Sequence, residues 1–350
     1  MRLEVPFIPD DDYVRFLNQQ IARIHSLYFS LYAEAAADSR HRFLSLKVED
    51  LIARLSRIPG PSRYILLNSR FHLPQDRFHP DSLKSVTRRL HALLESGDLD
   101  GIVFADLYYL RALSDADPAL ARRLEAVPSI NCMADSFDKV TATVEGIAAT
   151  GFRLPGKYVL DRSLNRNLET LAEVSKRCRK AYPDMHLGLL ANEGCLYQCP
   201  FKPAHDAQIS LVHMDIHVDT YGVNRDLGCM RTLRERPHLL FKSPFIRPED
   251  ADAYADAVDF IKLSGRTLGP DFLRRVVTAY IRGQYTGNLL ELLDSMEWFA
   301  GEWNIPNHEL PADFHNRMVS CDRSCGECED CRNLFETYAE KREARLPDFR

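Results

Sequence analysis

Several things are missing from this sequence, and each absence removes a class of protein. No stretch of the 350 residues approaches the roughly eighteen consecutive apolar positions of a membrane-spanning helix. The opening MRLEVPFIPDDDYVRF has no basic segment followed by an apolar run, so no secretory signal is read there. Low-complexity tracts, heptad repeats and collagen-like repeats are absent. Neither HExxH nor GxSxG occurs, nor a complete phosphate-binding loop Gly-x4-Gly-Lys-Ser/Thr, so zinc-protease, serine-hydrolase and nucleotidase readings lack their motifs. A net charge of −5 gives no global attraction to nucleic acid or anionic lipid. Arg162, Arg225, Arg231, Arg234 and Arg236 still crowd the middle of the chain, as a local basic groove or a solvated face. The expected protein is cytoplasmic and has no membrane span.

Hydrophobic residues make up 45% of the chain, enough for a large core. Short apolar, β-branched or aromatic runs alternate with helical patterns. Strands are expected at 3–8, 26–31, 64–68, 101–105, 127–132, 157–160, 186–191 and 259–263, with a further strand-like run at 238–242. Helices are expected at 82–95, 137–149 and 168–181, with Asp81 and Ser136 as N-caps and Gly97 and Gly151 as stops. Buried strands alternating with helices make an α/β protein. Eight such units, with no Gly-x-Gly-x-x-Gly after an early strand, favour a (β/α)8 TIM-type barrel over an open dinucleotide-binding sheet. The barrel is expected over residues 1–290, followed by a Cys-rich metal-binding extension over 291–350. Chemistry in such a barrel sits at the C-terminal strand ends. Asn68, Arg70, Asp106, Tyr108, Asn131, Asp161, Arg162, Asn192, Glu193, Ser264 and Arg266 all fall there.

Seven of the nine cysteines occur in ligand-like company. Cys195 and Cys199 lie in NEGCLYQCPFKPAHD, directly after the strand HLGLLA, and Cys229 follows Gly228. In a reducing compartment, thiolates at this density read as metal ligands rather than disulfides. Three thiolates need a fourth partner to hold an iron–sulfur cluster of the four-cysteine type. Cys132, at another strand end, and one of the C-terminal cysteines are the candidates, and Cys132 is equally readable as a small buried hydrophobe. Cys178 lies alone in a helix and reads as structural. NEGCLYQCPF, the later Gly-Cys, and a final strand AVDFIKLSGR carrying Lys262, Gly265 and Arg266 resemble the collagenase-like peptidase family. The resemblance covers about three quarters of the chain. It implies a TIM-type barrel, often with a [4Fe-4S] cluster on four cysteines. The activity implied is either oxygen-independent hydroxylation of a small molecule or RNA base, or peptide hydrolysis. The family's compact cysteine cluster is spread out here, so neither the fourth ligand nor the substrate carries over.

Cys321, Cys325, Cys328 and Cys331 form the most compact group, SCDRSCGECEDC. Its first three members have the radical-SAM spacing but lie beyond the last barrel strand, with Glu327 where an aromatic residue is usual. Two readings remain: a second iron–sulfur cluster or a structural zinc site on four thiolates. His205, His213 and His217 follow Cys199, and ISLVHMDIHV alternates as a strand that puts His213, Asp215 and His217 on one face. The functional expectation is an iron–sulfur oxidoreductase acting on a small-molecule or RNA substrate, with Glu193, His205, Asp161 and Arg266 as acid–base and binding groups. A peptidase, or a non-catalytic electron-transfer protein working with a partner of the same family, is the alternative.

Overall fold

The computed structural model describes residues 1–32, 38, 46–212 and 220–342. Eight strands form one parallel sheet: β1 (Arg2–Pro6), β2 (Ile24–Ser30), β3 (Ser62–Leu67), β4 (Gly101–Phe104), β5 (Glu125–Pro128), β6 (Lys157–Leu160), β7 (His186–Leu190) and β8 (Phe260–Lys262). Their order, β5-β4-β3-β2-β1-β8-β7-β6, brings first and last strands together through β1–β8 pairing. The remaining seam, between β5 and β6, is stitched by Arg153, which exchanges backbone hydrogen bonds with Leu124 and Ala126. The result is a nearly closed (β/α)8 barrel. All eight expected strands are present, each within a few residues of its expected ends.

The strands pack this way because their side chains alternate. Leu3, Val5, Leu27, Phe29, Ile65, Tyr158, Leu189 and Ile261 point outward into a core shared with the helices. The helix Pro80–Glu95 covers it with Leu83, Val86, Leu90 and Leu93, three and four residues apart. Its cap is His79 rather than Asp81: Pro80 takes the first helical position, and His79 Nδ1 accepts from the Asp81 amide. Inward, Tyr28, Tyr64, Leu66, Val103 and Val127 form one lumen cluster, and Ile130, Val159, Leu190 and Phe260 another. Gly188 is a glycine because the Phe260 ring fills the lumen there, 2.3 Å from where a Cβ would stand.

Two further sequence expectations give way. The run 238–242 is a 3-10 helix, Pro237–Lys242, because Pro237 initiates a helical turn and every barrel strand position is already filled. Residues 209–212, expected to open a strand, instead end the helix Lys202–Val212; the rest of that expectation, with His213, Asp215 and His217, lies outside the described residues.

The C-terminal segment does not stand apart. Leu289, Leu290, Phe299, Ile305, Phe314, Leu334 and Phe335 share a second apolar core with Leu233, Leu240 and Phe241 from the long β7–β8 connection. Arg166, from the loop after β6, ties the layers together: its guanidinium donates to the Phe241 and Met318 carbonyls at 2.6 and 3.1 Å.

Candidate functional site at the barrel mouth and the C-terminal thiols

The lumen holds charge where such barrels usually hold branched aliphatic residues. Glu4 on β1 receives Lys157 Nζ from β6 at 2.5 Å and Lys262 Nζ from β8. Ser26 on β2 accepts from Lys157 at 2.8 Å and donates to Glu4 at 3.2 Å. Glu4 and Lys157 are each 1% exposed. Burial would raise the Glu4 carboxyl, but the two lysines override it and hold it down at about 2. Burial pushes Lys157 down to about 8 against the pull of Glu4, and lowers Lys262 as well. Each ammonium also lies over an aromatic face, Lys157 3.8 Å from the Tyr64 centroid and Lys262 3.5 Å from that of Tyr28.

Above this cluster a cavity of about 80 Å³ opens among the strand ends, lined by Glu4, Lys262, Asn68, Asn131, Ser264 and Arg266, with Glu193 and Asp294 completing its polar wall. Arg266 faces it as expected and pairs with Asp38. Gly265 makes that placement possible: its φ of +113° turns the chain after β8, and the Phe272 ring occupies the space a Cβ would need. Asn192 is a clamp: buried, it accepts from the Ser264 amide at 2.7 Å and donates to the Ser264 and Leu292 carbonyls. Glu193 forms a buried ion pair with Arg162. Asp161 caps the following 3-10 turn by accepting from the Ser163 amide and does not line the cavity. His205 sits half-buried in the helix Lys202–Val212. That helix's Lys202 and Asp206 pair at 2.6 Å, with Arg70 at 3.2 Å from the same carboxylate.

Cys195 and Cys199 occupy the turn after β7, and Cys229 opens the helix Cys229–Glu235. Burial raises the Cys199 thiol; burial and then the nearby Cys199 raise that of Cys229. Lys202 feels Arg162 and Cys195, and Cys199 feels both cations, so Cys195 and Cys199 share that cationic neighbourhood, with Cys229 linked to it through Cys199. Cys132 turns its sulfur toward the Phe104 and Ala105 carbonyls, at 3.7 and 4.0 Å, and burial pushes its thiol up to about 12.

Cys321, Cys325, Cys328 and Cys331 all line a second, larger cavity of about 430 Å³. Five cationic side chains, Arg166, Lys242, Arg317, Arg323 and Arg332, surround them, against three acidic ones, Asp322, Glu329 and Asp330. Tyr197, from between Cys195 and Cys199, forms part of the wall, with the guanidinium groups of Arg166 and Arg323 5.9 and 5.5 Å from its ring centroid. Among the described residues, no three His, Cys, Asp or Glu side chains converge tightly enough to hold a single metal ion.

No protein-family model matches the chain. Over 247 residues it is 30% identical to an uncharacterized protease of Methanocaldococcus jannaschii, spanning 69% of this chain and 67% of that relative. The chain belongs to the collagenase-like peptidase family. A U32 peptidase of known structure superimposes with a TM-score of 0.49 at 19% identity, covering 76% of this chain and 93% of that one. The N-terminal domain of a putative aldolase from Bacteroides vulgatus gives a TM-score of 0.30 at 12% identity, covering 70% of this chain and 92% of that one. Within the family frame, Lys262 and Arg266 at the end of β8 were legible from sequence. Glu4 and Lys157 were not: each is a charged residue in a short, mostly apolar strand, and only the pleat direction shows that it points inward.

Proposed function

We propose that this member of the collagenase-like peptidase family is an iron–sulfur enzyme whose reaction takes place at the barrel mouth, an oxygen-independent hydroxylation of a small molecule or RNA base. The observation that carries the reading is the gathering of all four C-terminal thiols around one cavity with a surplus of cationic side chains. Thiolate donors suit iron and its clusters, and nearby cations offset the negative charge a thiolate-bound cluster brings. The four thiols surround a space instead of meeting at a point. Zinc needs four sulfurs about 2.3 Å from one centre, whereas each thiolate of a cluster binds a different iron. Cys195, Cys199 and Cys229 would hold a second cluster beside the mouth, with Cys132 or one of the C-terminal four as its fourth ligand.

A bound cluster supplies one-electron redox chemistry. The chain's own residues bind and orient. Arg162 fixes the Glu193 carboxylate at the rim, where it can take or return a proton, and Arg266 and Lys262 present donors to an anionic group in the cavity. Keeping the lumen filled by Tyr28, Tyr64 and Phe260 excludes bulk water from beneath the substrate.

Anaerobic purification followed by iron, acid-labile sulfide and zinc analysis tests this reading. Iron with matching sulfide, lost from the central site in Cys195→Ala and Cys199→Ala, is the expected result. Zinc without sulfide at both sites would overturn it, as would metal-free protein that hydrolyses peptides, the activity in the relative's name.

A further inference from the structure

The long β7–β8 connection is held over the mouth by charge rather than by a core. Between Ala191 and Met230 no described apolar side chain is fully buried, and among the described residues there only Leu196 leans on an apolar cluster. On the helix Lys202–Val212 the buried side chains described are Asp206 and Ser210, and the Ser210 hydroxyl stays within the helix, donating to the Asp206 carbonyl at 2.9 Å. Asp206 is the one that reaches outward. It meets Arg70, which follows β3 and also touches the Met133 sulfur, beyond β5, at 3.7 Å. In the strand order β3 lies four places from β7 in either direction, so this pair joins opposite rims of the barrel. The helix that follows β7 is thereby drawn across the mouth, above the cavity whose walls include Asn68, Asn131 and Glu193.

We propose that the helix Lys202–Val212 is a hinged cover of the barrel mouth, with Arg70–Asp206 as its clasp and Arg70 as the positioning residue that sets how often it opens. A segment with few buried apolar contacts opens at a small part of the global unfolding free energy. Opening also strands no buried charge. When the helix lifts, Asp206 leaves together with Lys202, its partner one turn away at 2.6 Å, while Arg70, whose side chain is already 32% exposed, passes to water. The Arg162–Glu193 pair stays behind on the loops after β6 and β7. Closed, the helix keeps bulk water from a substrate in the cavity; open, it gives a path into it. The Lys202 amide donates to the Cys199 carbonyl at 3.2 Å, so the cover is joined directly to the turn that carries Cys195 and Cys199, and its motion alters the exposure of that turn. The cover needs no metal, so it stands or falls separately from the iron–sulfur reading.

Hydrogen–deuterium exchange of the full chain, read peptide by peptide in a mass spectrometer, tests the proposal. In the parent protein 202–212 is expected to exchange at least about tenfold faster than the barrel helix Pro80–Glu95. The rate of 202–212 should rise further in about 1 M sodium chloride, which screens the clasp. Arg70→Met is expected to speed exchange of 202–212 by about fivefold and to remove most of the salt effect, with Pro80–Glu95 unchanged. Arg70→Lys keeps the charge and should stay within about twofold of the parent with the salt effect retained, which serves as the second variant should Arg70→Met melt early in circular dichroism. Equal protection of the two helices in the parent overturns the proposal. So does an Arg70→Met effect that is absent or spread evenly over both helices, or an Arg70→Lys variant without the salt effect.

Discussion

Glu4→Gln removes the counter-ion of two buried ammonium groups at once. Breaking a buried ion pair by deleting one partner typically costs about 3–5 kcal/mol, and Lys157, 1% exposed, has no solvent to turn to. Chemical denaturation of Glu4→Gln should show a loss in that range, clearly larger than that of Lys262→Met; equal losses would mean the lysines are screened by something other than Glu4. His25 gives a pH signature from the same region. Its ring stacks on Phe260 at 4.4 Å, and burial, together with Lys157 beside it, lowers it from 6.5 to about 4, with Glu4 pulling the other way and Arg2 and His186 adding to the depression. Because the folded state binds this proton less readily than the unfolded chain, the stabilisation is complete above 6.5 and lost as pH falls toward 4. His72, buried against Tyr109, is lowered to about 4 and acts in the same direction. Melting temperatures should therefore drop between pH 6.5 and 4, and His25→Phe, which keeps the stacking ring, should flatten that slope.

At the scale of elements, the apolar strands and their alternation with helices were readable because burial on both faces forces β-branched and aromatic runs. Segments whose period is ambiguous were not. ISLV alternates acceptably for a strand, but the barrel has no vacant edge beside it, and Lys202–Asp206 pairing one helical turn apart supports a helix. The C-terminal segment was legible as a thiol cluster but not as a packing element. Leu334 and Phe335, on the helix Asp330–Tyr338, are nearly fully buried, and the Phe335 ring packs against Phe241, Phe299 and Trp303. Cutting the chain before Ser320 would therefore remove core as well as the four thiols, and point variants separate the two. Phe335→Ala should cost about 3–5 kcal/mol, read from the unfolding midpoint, as expected for a buried aromatic ring. An unchanged midpoint would show that the extension contributes no stability.

For the molecule as a whole, the question is whether two thiol groups make two sites or one. Cys325 and Cys328 are exposed, so Cys325→Ser or Cys328→Ser should leave the fold intact. If the C-terminal four form their own cluster, either change should lower total iron and sulfide by about half while the paramagnetic spectrum of the central site persists. Loss of the central signal together with the peripheral one would instead make one of these cysteines the missing fourth ligand. The barrel was visible in sequence at this scale, and so was the presence of two cysteine groups. Their adjacency was not, because it depends on Tyr197 reaching across from one group to the wall of the other. That reach has a consequence for biosynthesis. The larger cavity takes its walls from positions 166, 197, 238, 242 and 317–332. A ribosome supplies them in that order, and N-terminal parts of a chain fold first. The loop bearing Cys195 and Cys199 therefore emerges well before the tail that covers Tyr197. During that interval Tyr197 stands without the tail that completes the cavity wall, so any group taken up at the proposed central site would be loaded before the C-terminal thiols have emerged to receive one.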